Sequence, residues 1–252
     1  MAPEQPVGQP DRAPAAPVRR EIRVREGGLR LDSNLKLVVS RECNPLIVEQ
    51  YRRLAATLHE AQIEKGLKTV MVTSAAPREG KTLTAVNIAL TLSESYNRRV
   101  LLIDADLRRP SVHELLGVGN EPGLSDVLRA DHADIPTVQI SARLFVLVSG
   151  RTEGNPLAGL SSDRMRSLLD DAATRYDWVL LDTPPVGLLS DSQVLGRLAQ
   201  ASVFVIRSGE TPFPAVERAM ADLGRDRIIG TVLNAVEDIP STSYYGNYYQ
   251  KG

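Results

Sequence analysis

Between an apolar run, Thr69–Thr73, and an amphipathic one, Lys81–Glu94, the chain carries Ser74-Ala-Ala-Pro-Arg-Glu-Gly80-Lys81-Thr82. A loop that leaves a strand and enters a helix aims its backbone N–H groups at a phosphate. Gly80 lets the backbone approach closely, Lys81 reaches the β- and γ-phosphates, and the Thr82 hydroxyl suits Mg²⁺. The first glycine of the common pattern is Ala75 here, which narrows the backbone angles available. Gly-Lys-Thr alone is a weak signal, since an ordinary turn can hold it. The strand before it and the Ala85, Ile88, Ala89, Leu92 face after it raise the signal to nucleotide binding.

The same alternation continues on both sides of the loop. A helix is expected over 45–65, ended by Gly66. Strands are expected at 99–103, 143–148, 178–181, 202–207 and 228–233. Helices are expected at 110–116, 163–176, 192–199 and 215–223. Strands this uniformly apolar are covered on both faces, and strand–helix alternation implies a parallel sheet with right-handed crossovers. The expected fold is therefore α/β, a mostly parallel twisted sheet with helices on both faces. With 252 residues, 42% of them apolar, one medium domain with extensions fits. A net charge of -1 gives no basic field for nucleic acid. The lone cysteine, Cys43, has no internal disulfide partner and reads as a half-buried small residue in a reducing compartment. No apolar run approaches the ~18–20 residues that span a bilayer, and no secretory signal is expected.

Residues 1–40 hold Pro3, Pro6, Pro10, Pro14 and Pro17 and then alternate Arg with Glu, Ile and Val. They are expected to be a mostly disordered lead-in, with 35–39 as a short edge strand. At the other end, Tyr244, Tyr245, Tyr248 and Tyr249 are four of only seven tyrosines in the chain. They lie among Ser, Gly, Asn and Gln without a periodic apolar face. That suits a flexible strip able to enter an active site, or one that docks on a partner.

Two more strands end in aspartate: Leu102-Ile-Asp104-Ala-Asp106-Leu-Arg108-Arg109-Pro110 and Trp178-Val-Leu-Leu-Asp182-Thr-Pro-Pro185. In a parallel sheet the ligand crevice lies beyond the carboxyl ends of the strands. All three aspartates then share a rim with Lys81. One aspartate after a strand can simply cap a helix. Three beside a phosphate loop match the needs of Mg²⁺ and of a group that positions an attacking hydroxyl. Arg108 and Arg109 either bind phosphate or lie on the surface.

From Asn44 onward these residues resemble the bacterial tyrosine kinases of capsule and exopolysaccharide synthesis, a branch of the P-loop NTPases. Pro77-x-Glu79-Gly80-Lys81-Thr82 looks like that family's Walker A motif. Leu102 to Pro110 looks like its Walker A′, and Leu181 to Pro185 like its Walker B. Gly154-Asn155-Pro156, Asp191 and the tyrosine cluster are also similar. The resemblance implies ATP with Mg²⁺ as cofactor, with nucleotide contacts from Pro77, Glu79, Gly80, Lys81, Thr82, Leu83 and Asn234. It implies Thr82, Asp104, Asp106 and Asp182 around the metal. Lys81 would be catalytic, and Asp104 or Asp106 the base. The phosphoacceptors would be Tyr244, Tyr245, Tyr248 and Tyr249, reached between subunits. It divides the chain into a lead-in (1–40), a kinase domain (41–236) and a tyrosine tail (237–252).

The implied partners are a membrane polysaccharide co-polymerase that activates the kinase, a phosphotyrosine phosphatase and a second copy of the chain; nucleic acid is not one. The implied location is cytoplasmic, with recruitment to the inner face of the membrane by a partner. There are departures. Arg78 stands where the family often has glycine and is expected to point outward. The helix motif Glu-x-x-Arg-x-x-Arg is met by Glu49 and Arg52 but has Ala55 third, which bears on ring assembly. The chain resembles the stand-alone form of the family. The competing readings are a partitioning or positioning ATPase of the same fold, and a non-catalytic adaptor gated by nucleotide.

Overall fold

The computed structural model describes residues 22–26, 37–40, 43–130, 135–151, 154–187 and 190–237. Helix α1 (Pro45–Lys65) starts where Asn44 Oδ1 accepts the Leu46 N–H, and ends at Gly66, whose φ of 66° is left-handed. The body then alternates as the apolar pattern requires. Strand β2 (Thr69–Ser74) leads to α2 (Lys81–Glu94), and β3 (Val100–Asp104) to α3 (Val112–Leu116) and α4 (Leu124–Arg129). Strands β4 (Ile135–Gln139) and β5 (Leu144–Leu147) precede α5 (Pro156–Leu160) and α6 (Asp163–Arg175). Then come β6 (Trp178–Asp182), α7 (Ser190–Leu198), β7 (Ala201–Arg207), α8 (Phe213–Leu223) and β8 (Ile228–Asn234).

With β1 (Ile22–Glu26), these strands form one sheet in the order β1-β4-β5-β3-β6-β2-β7-β8. From β5 to β8 every neighbouring pair is parallel; β4 runs antiparallel to β5, and β1 is parallel to β4. The phosphate-loop strand β2 thus sits between β6 and β7, with β3 beyond β6.

Successive residues of the central strands enter opposite layers, as the period of two demands. Met71, Leu101, Ile103, Val179, Leu181 and Phe204 pack under α4–α8. Val70, Val72, Val100, Leu102, Leu180 and Val203 pack under α1–α3. Both faces are covered, so the central strands carry almost no polar residue before their carboxyl ends.

The flanks differ in places from the sequence reading. Ile22–Glu26 form an edge strand inside the stretch expected to be disordered; its alternation of Ile22 and Val24 with Arg23 and Arg25 is the period-two pattern, and β4 supplies the pairing partner. Of the expected strand at 35–39, the described residues 37–39 form a turn instead. Leu37 is fully buried there, and the Val38 N–H donates to Asn87 Oδ1 at 3.0 Å. The Asn87 carboxamide replaces a strand neighbour. Ala55 is fully buried in the α1 face, so an arginine at this point of the family's helix motif would meet core; Glu49 and Arg52 pair at 3.7 Å. The four clustered tyrosines lie outside the described residues.

Leu102, fully buried in a central strand, gives a direct check on this layering. Leu102→Ala should cost about 2–5 kcal/mol in urea unfolding. A loss below about 1 kcal/mol would contradict its placement between the two layers.

Candidate active site

The phosphate loop is built by backbone geometry before any side chain acts. Gly80 has φ 90°, and a Cβ placed on it would lie 1.9 Å from Asn234 Nδ2. Only glycine permits both the left-handed turn and the close approach of that carboxamide. The next residue opens α2, so Lys81 and Thr82 sit in its first turn. Arg78 also has a positive φ, 65°. Its side chain is exposed at the mouth of a cavity of about 550 Å³.

That cavity is bordered by Lys81, Thr82, Asp106, Arg109, Ser111 and Pro185. Lys81 Nζ lies 3.1 Å from Asp106 Oδ2, with the lysine side chain only 12% exposed. Asp104 and Asp182 end β3 and β6 as direct register partners, which presses two buried carboxylates together. Asp104 Oδ2 accepts the N–H groups of Ser111 and Val112, each at 3.1 Å. Ser111 Oγ in turn donates to Thr82 Oγ1 at 3.1 Å.

The electrostatics follow from this crowding. Burial, and then the Asp182 charge, push the Asp104 carboxyl well above the usual carboxylate range; the Val112 N–H opposes them. Burial pushes Asp182 up to about 7, while the Lys81 ammonium and the Thr82 hydroxyl pull it back. Thr82 and Thr183 are the donors near Asp182, but neither makes a hydrogen bond of good geometry, and both Asp182 oxygens and Asp104 Oδ1 are buried without such a partner. Buried acceptors left open next to a hydroxyl fit a hard cation. No three acidic or histidine side chains among the described residues converge into a complete metal cage.

Lys81, Thr82, Asp104, Asp106 and Asp182 thus come together as expected. Pro77, Gly80 and Leu83 border the cavity, but Glu79 and Asn234 do not. The Glu79 side chain turns inward, only 3% exposed. Asn234 lines an adjoining cavity of about 530 Å³, which shares Leu83 with the first. Arg108 is held by Asp191, with Nε at 2.6 Å and Nη2 at 3.2 Å from its two oxygens, so it ties the Walker A′ loop to the start of α7. Ser111 is a residue the motifs do not mark; its place before the first turn of α3, a position that favours Ser, is the sequence signal for it.

A protein named tyrosine-protein kinase YwqD from Bacillus subtilis is 37% identical over 228 residues, 89% of this chain and 94% of that protein. The chain belongs to the bacterial tyrosine kinases. Tyrosine-protein kinase etk of Escherichia coli is 38% identical over 78% of this chain, which spans 28% of that longer kinase. The solved kinase domain of Escherichia coli ETK matches with a TM-score of 0.70 at 36% identity, over 75% of each chain. The fold extends to the septum site-determining protein MinD of Pyrococcus horikoshii, solved with Mg-ADP, at a TM-score of 0.57 and 20% identity over 70% of this chain and 75% of that one. No family model matches the chain. A tyrosine kinase of this family is a nucleotide-binding enzyme, and a cavity at the first turn of α2 is where its phosphates belong.

In the nucleotide-free kinase, Asp182 keeps its proton when folded up to about pH 7 but loses it near 3.8 when unfolded. Its contribution to stability is full below the lower value and is lost as pH rises through the upper one. The melting temperature should therefore fall between about pH 5 and about pH 8, and less steeply in Asp182→Asn. Equal slopes in the two proteins would show that Asp182 is not the buried acid.

Proposed function

We propose that this chain transfers the γ-phosphoryl group of ATP to tyrosines of its own C-terminal cluster, Tyr244, Tyr245, Tyr248 and Tyr249, with one subunit serving another. The observation that carries the reading is the contact between Lys81 and Asp106, 3.1 Å apart at the cavity wall. A cation for phosphate oxygens and a carboxylate for a phenolic proton stand side by side at the cavity wall.

Each residue has a task. Backbone N–H groups of 78–82 face the phosphates at the start of α2. Entering phosphates compete for the Lys81 ammonium and release Asp106 from its ion pair. Asp106 borders the cavity, whereas Asp104 is fully buried and has one oxygen occupied by two backbone donors. Asp106 is therefore the better base. It takes the phenolic proton as the tyrosine oxygen bonds to the γ-phosphorus and the bond to the β-phosphate oxygen breaks, leaving ADP. Mg²⁺, held by Thr82, Asp104 and Asp182, would neutralise charge on the phosphate oxygens. The stretch from Asn234 to Tyr244 spans roughly 30 Å when extended, a length that serves attack within one subunit or on a neighbour.

The biological setting we propose is control of capsule or exopolysaccharide synthesis from the cytoplasm. No helix among the described residues is long and apolar enough to cross a membrane. The activator we propose is a membrane co-polymerase that brings the kinase to the inner face, and a phosphatase resets the cluster.

The test is incubation with Mg-ATP and mapping of phosphotyrosine by mass spectrometry. Phosphate should appear in the cluster and vanish in Lys81→Met. Replacing Tyr244, Tyr245, Tyr248 and Tyr249 by Phe should remove it while ATP still binds. ATP hydrolysis without phosphotyrosine would favour a positioning-type ATPase, and neither activity would favour the adaptor.

Asp182→Asn should lower Mg²⁺-dependent turnover on the order of 100-fold, the effect of losing several kcal/mol of charge stabilisation. Circular dichroism should show the fold intact. Near-normal turnover would remove Asp182 from the site.

A further inference from the structure

The phosphate loop is connected covalently to β2 and α2, yet its conformation is secured from elsewhere. Glu79 is buried, and its carboxylate faces the protein rather than the cavity. One oxygen, Oε2, accepts the Ala76 N–H at 2.9 Å, closing the loop on itself. The other, Oε1, accepts the hydroxyl proton of Thr211, from the segment between β7 and α8. Thr211 Oγ1 accepts the Arg207 N–H at 3.1 Å. Arg207 Nη1 donates to the Arg78 carbonyl at 3.2 Å. Asn234 Nδ2, at the end of β8, donates to the Glu79 carbonyl at 2.9 Å.

The direction of these bonds is forced. A backbone N–H can only donate and a carboxylate can only accept, so the Thr211 hydroxyl accepts from Arg207 and donates to Glu79. Its proton goes to Glu79, which must accept there and from Ala76 as well. An ionised carboxylate can accept at both ends; a carboxamide can accept at only one. The held stretch also contains the loop's unusual backbone, Arg78 at φ 65° and Gly80 at φ 90°. A non-glycine residue persists in the left-handed region when its surroundings over-determine it.

We propose that Glu79, Thr211, Arg207 and Asn234 form a clasp that presets the phosphate loop for nucleotide, so that the ends of β7 and β8 control affinity at a cavity they do not line. The clasp rests on the nucleotide-site reading above. Its members are positioning residues, since they act through the loop backbone. By linkage, whatever shifts the end of β8 changes nucleotide affinity, and bound nucleotide stiffens the end of β8.

The experiment uses the full chain with Mg-ADP as probe. Calorimetry should show Kd rising about 10-fold or more in Thr211→Val and in Glu79→Gln, the scale of one lost charge-assisted hydrogen bond. Thr211→Ser, which keeps the hydroxyl, should restore Kd to within about twofold. Hydrogen exchange should report faster exchange of the Ala76 amide in the two weakened variants, with the β3 and β6 amides unchanged. A brace that matters only for folding would lower the melting temperature and leave Kd untouched, which overturns the proposal. So would a Thr211→Ser variant as weak as Thr211→Val. Glu79→Gln keeps the residue's size and is the deciding variant if Thr211→Val does not fold. A wild-type chain that binds no Mg-ADP overturns the nucleotide reading and the clasp with it; wild-type binding with unaltered variants overturns the clasp alone.

Discussion

Three carboxylates, Asp104, Asp106 and Asp182, are pressed into one end of a sheet whose interior is otherwise apolar, with the Lys81 ammonium against one of them. Charge of one sign accumulates there because β3 and β6 are direct neighbours and each ends in aspartate at the same register. Removing carboxylates from water is costly unless partners replace the water. Lys81, the Ser111 and Val112 amides and retained protons meet only part of that demand. The site is thus built with a deficit of positive charge, which is the condition that makes a metal-laden, multiply charged ligand welcome.

The layers around this cluster keep it from relaxing. The strands that carry the aspartates are buried on both faces, so their ends cannot drift apart without opening both layers. The strand order sets the loop strand β2 directly beside β6, and β3 just beyond. Residues about a hundred positions apart along the chain then meet within one side-chain length. Arg108 and Asp191 tie two of the loops across the rim, and Ser111 links the first turn of α2 to Asp104.

Much of this was readable from residue order. Apolar runs of five or so residues, each followed by a helical period, mark β2, β3, β6 and β7, because buried parallel strands have little choice of composition. Gly80-Lys81-Thr82, Asp104, Asp106 and Asp182 were readable because their chemistry demands those residue types at strand ends. Strand β4 and helix α4 were not, since five or six residues hold too little periodicity to stand out. Strand β1 escaped notice because its pattern is short and charged, and its partner is more than a hundred residues away. Arg108, expected either at phosphate or at the surface, is exposed at the cavity and paired with Asp191. Thr211 and Arg207 carry no local mark at all. Their importance is created by the fold, which returns the chain to the phosphate loop after β7.

Strands β1 and β8 are the two margins of the sheet. Seven strand spacings of about 4.8 Å put roughly 34 Å between them. Ile22 in β1 and Asn234 in β8 therefore lie on opposite flanks of the sheet. A partner that grips the β1 margin leaves the β8 margin, and the cavity that Asn234 lines, unobstructed.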